Sequence, residues 1–272
     1  MTPPVPVASP EASEHGVRVL PITQATAATF PDLFIQLTFL CFVRTGSKRI
    51  LCPLTGEMIA HEGDLILFPS GSVVTLENRP LINADYRADG VYFSHDMVRT
   101  IFPESRVDSE PPGIQIIRAD PLRPLELLTL IQETLGNDTL PPPIRQHRLL
   151  EPLIWLRHHG IRLSVQDEEG PLARLRSLIE SDLERPWRAM DAARHFAMSE
   201  PTFRRWLARS GYSFAKVLHH TRLENGLALL QNTRTPIAQV ALECGFKTPS
   251  HFSDSFKKRF GLKPTAIRSP AE

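Results

Sequence analysis

Two stretches near the carboxy terminus space hydrogen-bonding side chains for one face of a helix. The first carries Ser199, Pro201, Arg204, Arg205 and Ala208; the second carries Thr248, Ser250, His251, Ser253, Asp254 and Lys257. Steps of three and four residues stack side chains on one helical face. From such a face an arginine can donate to both major-groove acceptors of guanine, serine can pair with either kind of group, and a carboxylate can accept from the cytosine amino group. The chemistry on offer is recognition of double-stranded DNA, not bond-making. No catalytic residue, metal or cofactor is expected. His61 and His95 are isolated, and Cys41, Cys52 and Cys244 are far apart with no C-x-x-C pair, so neither a metal site nor a disulfide scaffold is indicated.

Those side chains need two outward-facing helices, and an internal repeat supplies them. Ala193-x-x-Phe196-x-x-Ser199-x-x-x-Phe203-x-x-x-Leu207 recurs as Ala241-x-x-Cys244-x-x-x-Thr248-x-x-x-Phe252-x-x-x-Phe256, with one extra residue in the second turn. Each copy reads as a short helix, a break and a second helix. Ser199 and Thr248 are N-cap residues, Pro249 fits the first helical position, and Gly245 permits a tight break. Ala193 and Ala241 let helices cross closely, while Phe203, Leu207, Phe252 and Phe256 bury the back of each second helix. Such an element lies in the major groove in helix-turn-helix proteins. Between the copies, Ser213 to Gln231 predicts one helix of 19 residues, roughly 28 Å long. That is close to the ~34 Å of one DNA turn, so both second helices could enter successive major grooves on one side of the duplex.

The charge distribution agrees. The 272 residues carry a net +1, but residues 1–169 hold 14 basic and 21 acidic residues, a net −7, and residues 170–272 hold 17 and 9, a net +8. A basic module joined to an acidic one suits a polyanion-binding domain on a regulatory or oligomerising domain. The Pro-rich start, Met1 to Pro6, has no basic and apolar leader, and no apolar run nears the ~20 residues of a membrane span. The expectation is a protein of the reducing cytoplasm, away from membranes.

Residues 1–16 read as a flexible arm. Short runs follow at Phe34–Val43, Arg49–Cys52, Leu65–Phe68, Val73–Leu76 and Ala84–Phe93, with turns at Gly63-Asp64 and Pro69-Ser70-Gly71. They predict an antiparallel barrel or sandwich, with 113–118 as a closing strand. Helical periodicity then takes over at 121–136 and 144–158. The polar segment 164–171 reads as a linker. Leu172, Leu175, Ile179 and Leu183 predict a helix ended by Arg185-Pro186-Trp187.

Ile237-Ala238-Gln239-Val240-Ala241-Leu242-Glu243-Cys244-Gly245-Phe246, then Ser250-His251-Phe252, Phe256-Lys257-Lys258, Phe260-Gly261, Pro264 and Arg268, resemble the signature of the AraC/XylS family of bacterial transcription regulators. The resemblance covers about residues 172–268. Ala192 to Leu207 with Gly211-x-Ser213-Phe214 resembles the branch that regulates virulence genes. Two departures are Ile267, where the family usually has Tyr, and Asp254, where a basic residue is common. The resemblance implies an α+β multidomain protein: a cupin-like β-barrel with two helices over 17–163, for effector binding and dimerisation, and an all-α domain with two helix-turn-helix units over 172–268. It implies a regulator, an activator in most relatives, that engages DNA and RNA polymerase as a homodimer and answers to an apolar small molecule or a regulatory protein. Effector-binding residues are not indicated. The competing readings are a cupin-type metalloenzyme, for which His61 and His95 are too few, a DNA-repair methyl acceptor, for which the cysteines are too scattered, and an interaction module whose helical domain is structural.

Overall fold

The computed structural model describes residues 15–52, 56–103, 113–163 and 170–268. They divide into two compact units, one before and one after residue 167. Most of the expected arm (1–14) and of the linker (164–169) lies outside the described residues.

The first unit is built on two antiparallel sheets. Strands β1 (Val17–Gln24), β2 (Ala28–Ile35), β3 (Thr38–Thr45), β4 (Ser47–Cys52), β5 (Gly56–Ala60), β6 (Leu65–Phe68), β7 (Ser72–Arg79), β8 (Tyr86–Phe93) and β9 (Gln115–Ile117) order as β1-β8-β3-β6-β9 and β2-β7-β4-β5. Alternation along β3 explains why its six residues Thr38–Val43 are all buried. Leu40 and Phe42 face a helical layer with Leu65, Leu67, Val91 and Phe93, whereas Phe39, Cys41 and Val43 face the second sheet with Ile50, Phe68 and Val74. A strand covered on both faces reads as a continuous apolar run. The helical layer comprises α1 (His95–Ile101), α3 (Pro124–Leu135) and α4 (Pro142–His158), with a short kinked turn α2 (Ala119–Leu122) before α3.

Several expectations are corrected here. The run Phe34–Val43 is parts of two strands, interrupted at Gln36-Leu37. β1, β5, α1 and most of β2 were not expected at all. β1 and β2 carry Pro21 and Pro31 and are edge strands of their sheets, a place where a proline need not break a ladder. β2 also bulges between Phe30 and Leu33, at Asp32 with φ +50°. The segment 113–118 supplies a strand, but β9 is an edge strand on β6 and closes nothing.

Inside the space between the sheets lies a polar string. The Lys48 ammonium, 3% exposed, donates to Asn78 Oδ1 and stands 5.1 Å over the Tyr86 ring. Asn78 donates to Gln24 Oε1 at 2.8 Å, and Tyr86 meets Cys41 Sγ at 3.9 Å. Burial pushes the Lys48 ammonium below its ordinary range and the Tyr86 phenol well above it. Asp64 pins the Gly63-Asp64 turn, accepting from the backbone of His61 and Ala119 and from Arg118 at 2.9, 3.0 and 2.7 Å.

The second unit is helical: α5 (Pro171–Glu180), α6 (Ala189–His195), α7 (Glu200–Ala208), α8 (Phe214–Asn232), α9 (Ile237–Glu243), α10 (Pro249–Phe260) and a 3-10 turn at Pro264–Ile267. α5 stops short of the expected Leu183. Asp182 accepts from the Arg185 backbone at 3.0 Å, and its carbonyl from Trp187 Nε1 at 2.7 Å; this local turn diverts the chain before Pro186 has to. No described helix is long and apolar enough to cross a membrane.

Candidate nucleic-acid interface

Each second helix is started by a local cap and turned outward by its own apolar back. In the first pair, Ser199 Oγ accepts from the Thr202 N–H at 3.4 Å. In the second, Thr248 Oγ1 accepts from the His251 N–H at 3.2 Å, with Pro249 at the first helical position. The turns are closed alike, by Met198 N–H to the Ala193 carbonyl and Phe246 N–H to the Ala241 carbonyl, both 2.9 Å. Both turns place a left-handed residue one position beyond the C-cap of the first helix. It is Gly245 at φ +74° in the second pair and Ala197 at φ +53° in the first. At Gly245 no Cβ fits, because it would stand 2.1 Å from the Leu183 carbonyl oxygen; Ala197 carries the strain of a left-handed L-residue.

The backs are sealed. Ala192, Ala193, Phe203 and Leu207 are buried with Leu175, Ile179, Trp187 and Val217. In the second pair Phe246, Phe252, Phe256 and Phe260 form a chain of ring contacts with centroids 5.2, 5.6 and 4.7 Å apart. Gly226, in the middle of α8, admits the Phe252 ring, which would lie 2.7 Å from an added Cβ. Ile267 is fully buried, so the departure from Tyr falls in the core and presents nothing outward.

Of the residues expected to meet DNA, Ser199, Pro201, Arg204, Arg205 and Ala208 are exposed along α7 and its cap. Thr248, Ser250, His251, Asp254 and Lys257 are exposed along α10 and its cap; Ser253 is half-buried. His251 leans edge-on against Phe246, centroids 5.4 Å apart. Arg205 has no polar partner among the described residues. Arg204 does: its Nε and Nη2 both donate to Glu200 Oε1, at 2.9 and 2.6 Å. Glu200 was not singled out from the sequence, although an acid four residues before an arginine is a readable signal.

The basic character of this unit is partly spent inside it. Arg259, in the run Lys257-Lys258-Arg259, turns inward and with Arg176 of α5 donates to the Glu224 carboxylate of α8. Arg222 donates to the Leu183 and Arg185 carbonyls. Arg268 donates to the carbonyls of Leu229 and Leu230 in the last turn of α8 and of Thr235 just beyond it, where a cation suits the negative end of the helix. These arginines hold the scaffold; Arg204, Arg205, Lys257 and Lys258 remain exposed. Burial, then the Arg259 and Lys216 charges, pulls His220 down to about 3, and burial with Arg259 also lowers His219.

His61 and His95 lie at an exposed turn and at the start of α1. Among the described residues no three His, Cys, Asp or Glu side chains gather as metal ligands.

With this geometry in hand, the similarity to known proteins is informative. The family described as a helix-turn-helix domain matches residues 192–269. The transcriptional regulator SirC of Salmonella typhimurium is 35% identical over 91 residues, 34% of this chain and 31% of SirC; the match thus spans about a third of that relative's length. The virulence regulon transcriptional activator VirF of Yersinia enterocolitica is 31% identical over 168 residues, 60% of this chain and 62% of VirF. Across both units, the fold matches ToxT of Vibrio cholerae bound to an unsaturated fatty acid, with TM-score 0.60 and 15% identity over 91% of this chain and 92% of ToxT. SirC and VirF are named as regulators, not enzymes. Residues 192–269 thus carry a helix-turn-helix domain of the AraC type, similar to the one in these transcription regulators.

Proposed function

We propose that the protein is a sequence-specific transcription activator that reads DNA with both helix pairs, inserting α7 and α10 into successive major grooves. The observation that carries this reading is the exposed row Pro201, Arg204, Arg205 and Ala208 on a helix whose opposite side, Phe203 and Leu207, is sealed. Arg204 and Arg205 supply the main guanine and phosphate contacts. Ser199 and Thr248 sit at helix starts suited to phosphate. Ser250, Ser253, Asp254 and Lys257 make a different reading head, in which Asp254 accepts from a cytosine amino group and His251 donates to phosphate. The 19-residue α8, roughly 28 Å long at 1.5 Å per residue, sets a spacing near one DNA turn. Activation and virulence genes as targets are favoured by the name of VirF, and RNA polymerase is the partner that an activator would engage.

The first unit carries the control, as a cupin-like effector and dimerisation domain of a homodimer. The fatty acid recorded in ToxT favours an apolar acid as the effector over a regulatory protein. Lys48 places an amine within the inter-sheet core that would suit such a headgroup.

Selection of random duplexes by the full chain at about 0.15 M salt tests the DNA reading. It should enrich two boxes about 10 bp apart, and Arg205→Ala should cost ~1–3 kcal/mol and relax one position. Failure to enrich any motif refutes it. Addition of a long-chain unsaturated acid should change affinity for the selected duplex in the wild type and not in Lys48→Met; the same response in both removes Lys48 from that role.

A further inference from the structure

Glu200 stands in the first turn of α7, where an acid suits the helix dipole, but that small stabilisation would need no arginine held against it. Ser199 already caps α7 through its side chain, and the Glu200–Arg204 pair is solvent-exposed, with side chains 38% and 61% accessible. Exposed pairs of this kind contribute little to folding. An acid on a DNA-facing helix also repels phosphate, so for non-specific binding alone it is unfavourable. In the second helix pair the positions equivalent to Glu200 and Arg204 hold Pro249 and Ser253: acid and arginine occur together in one copy and are both missing from the other.

The geometry of the pair is specific. A guanidinium offers five N–H donors in a rigid fork. Glu200 Oε1 takes the edge formed by Nε and one hydrogen of Nη2, at 2.9 and 2.6 Å. The edge left over, Nη1 with the second hydrogen of Nη2, is the end-on pair of donors that matches guanine O6 and N7. A long, exposed arginine otherwise samples many rotamers and takes phosphate as readily as base. Held by Glu200, it is pre-oriented, and its attraction to phosphate is partly neutralised.

We infer that Glu200 is a positioning residue that aims the end-on edge of Arg204 at one guanine and discourages its use on phosphate, so that it determines specificity without touching the base. The inference rests on the reading of α7 as a recognition helix. It predicts that the first head has one sharply specified G·C pair and the second head has no counterpart to it.

The test uses the full chain as wild type, Glu200→Ala, Glu200→Gln and Arg204→Ala, measured on the selected duplex and on duplexes with each base pair of the first box replaced in turn. Arg204→Ala identifies the position that depends on this arginine, where the wild type should discriminate by about 5- to 150-fold, the range for a bidentate arginine. Glu200→Ala should lose about 5- to 10-fold of that discrimination at that position alone, with the melting temperature lowered by no more than a few degrees. Its non-specific binding should tighten and grow more salt-dependent, by about one further released counterion. Glu200→Gln, whose amide oxygen still accepts, should recover much of the discrimination. Wild-type discrimination in Glu200→Ala, or a loss spread evenly over the box, overturns the inference. So does an Arg204→Ala protein with no position relaxed, since no readout then exists for Glu200 to aim. Absence of any selected motif in the wild type fails the DNA reading itself, a separate outcome.

Discussion

Glu224→Ala removes a carboxylate that accepts from two buried guanidiniums of the helical unit, Arg176 and Arg259. Arg176 and Arg259 are 5% and 7% exposed at the side chain, and Glu224 itself is 10% exposed. The pair therefore sits far from the screened, water-facing regime in which ion pairs are nearly neutral to stability. Breaking a buried pair by deleting one partner costs about 3–5 kcal/mol. Glu224→Ala should fall in that range. A unit of this size shifts its melting temperature by roughly 4–8 °C per kcal/mol, which places the expected loss at roughly 12–40 °C in the transition that reports on the helices. The assay is thermal unfolding of the full chain by circular dichroism at pH 7.5, repeated at 0.05 and 0.5 M salt. The companion variant, Arg176→Met with Glu224→Leu and Arg259→Met, should recover more than half of the loss, because the three charges of the cluster are then replaced together by apolar groups. A loss under about 1 kcal/mol for Glu224→Ala, or a strong dependence on salt, would show that water reaches the triad and would refute the argument from burial.

Ala197→Gly should stabilise the protein by about 0.5–1 kcal/mol, since relief of a left-handed alanine outweighs the added freedom of the unfolded chain; chemical denaturation measures it, and a loss would mean that the turn is not left-handed in solution. Gly226→Ala gains ~1 kcal/mol of helix propensity but puts a methyl group 2.7 Å from the fully buried Phe252 ring. Overpacking of a tight core costs ~1–3 kcal/mol, so the same denaturation should show net destabilisation, and a gain would show that the ring moves aside at little cost. His220 is held at about 3 and His219 below its ordinary value, mainly by burial and the Arg259 charge, with Lys216 and Arg176 adding to the effect on His220. The unfolded chain then binds protons near pH 6.5 that the folded chain refuses. Stability from these groups is complete above that pH and falls steadily as pH drops toward 3. Melting temperatures between pH 7.5 and 4.5 should decline, less so in His220→Gln, and equal slopes in the two proteins would discard His220 as the cause.

What was legible in the sequence was local. The caps Ser199 and Thr248, the apolar back of each second helix and the extra residue in the second turn all act within about ten residues of where they stand, and the helices at Glu200–Ala208, Phe214–Asn232 and Pro249–Phe260 follow from them. The run Leu65–Phe68 was equally plain because both of its faces are covered. β1 and β2 were not, since Pro21 and Pro31 argue against a strand until one knows that each strand lies at an edge.

The sequence by itself determined the helix pairs and the row of side chains that α7 turns outward, because capping and the 3.6-residue period are short-range physics. Only the tertiary structure decided which arginines face outward. Arg204 and Arg259 look alike in the chain, yet Arg259 reaches Glu224, 35 residues away, and Arg204 is left at the surface to be aimed by Glu200. A charge's partner is set by what folding brings beside it, and no local pattern encodes that distance.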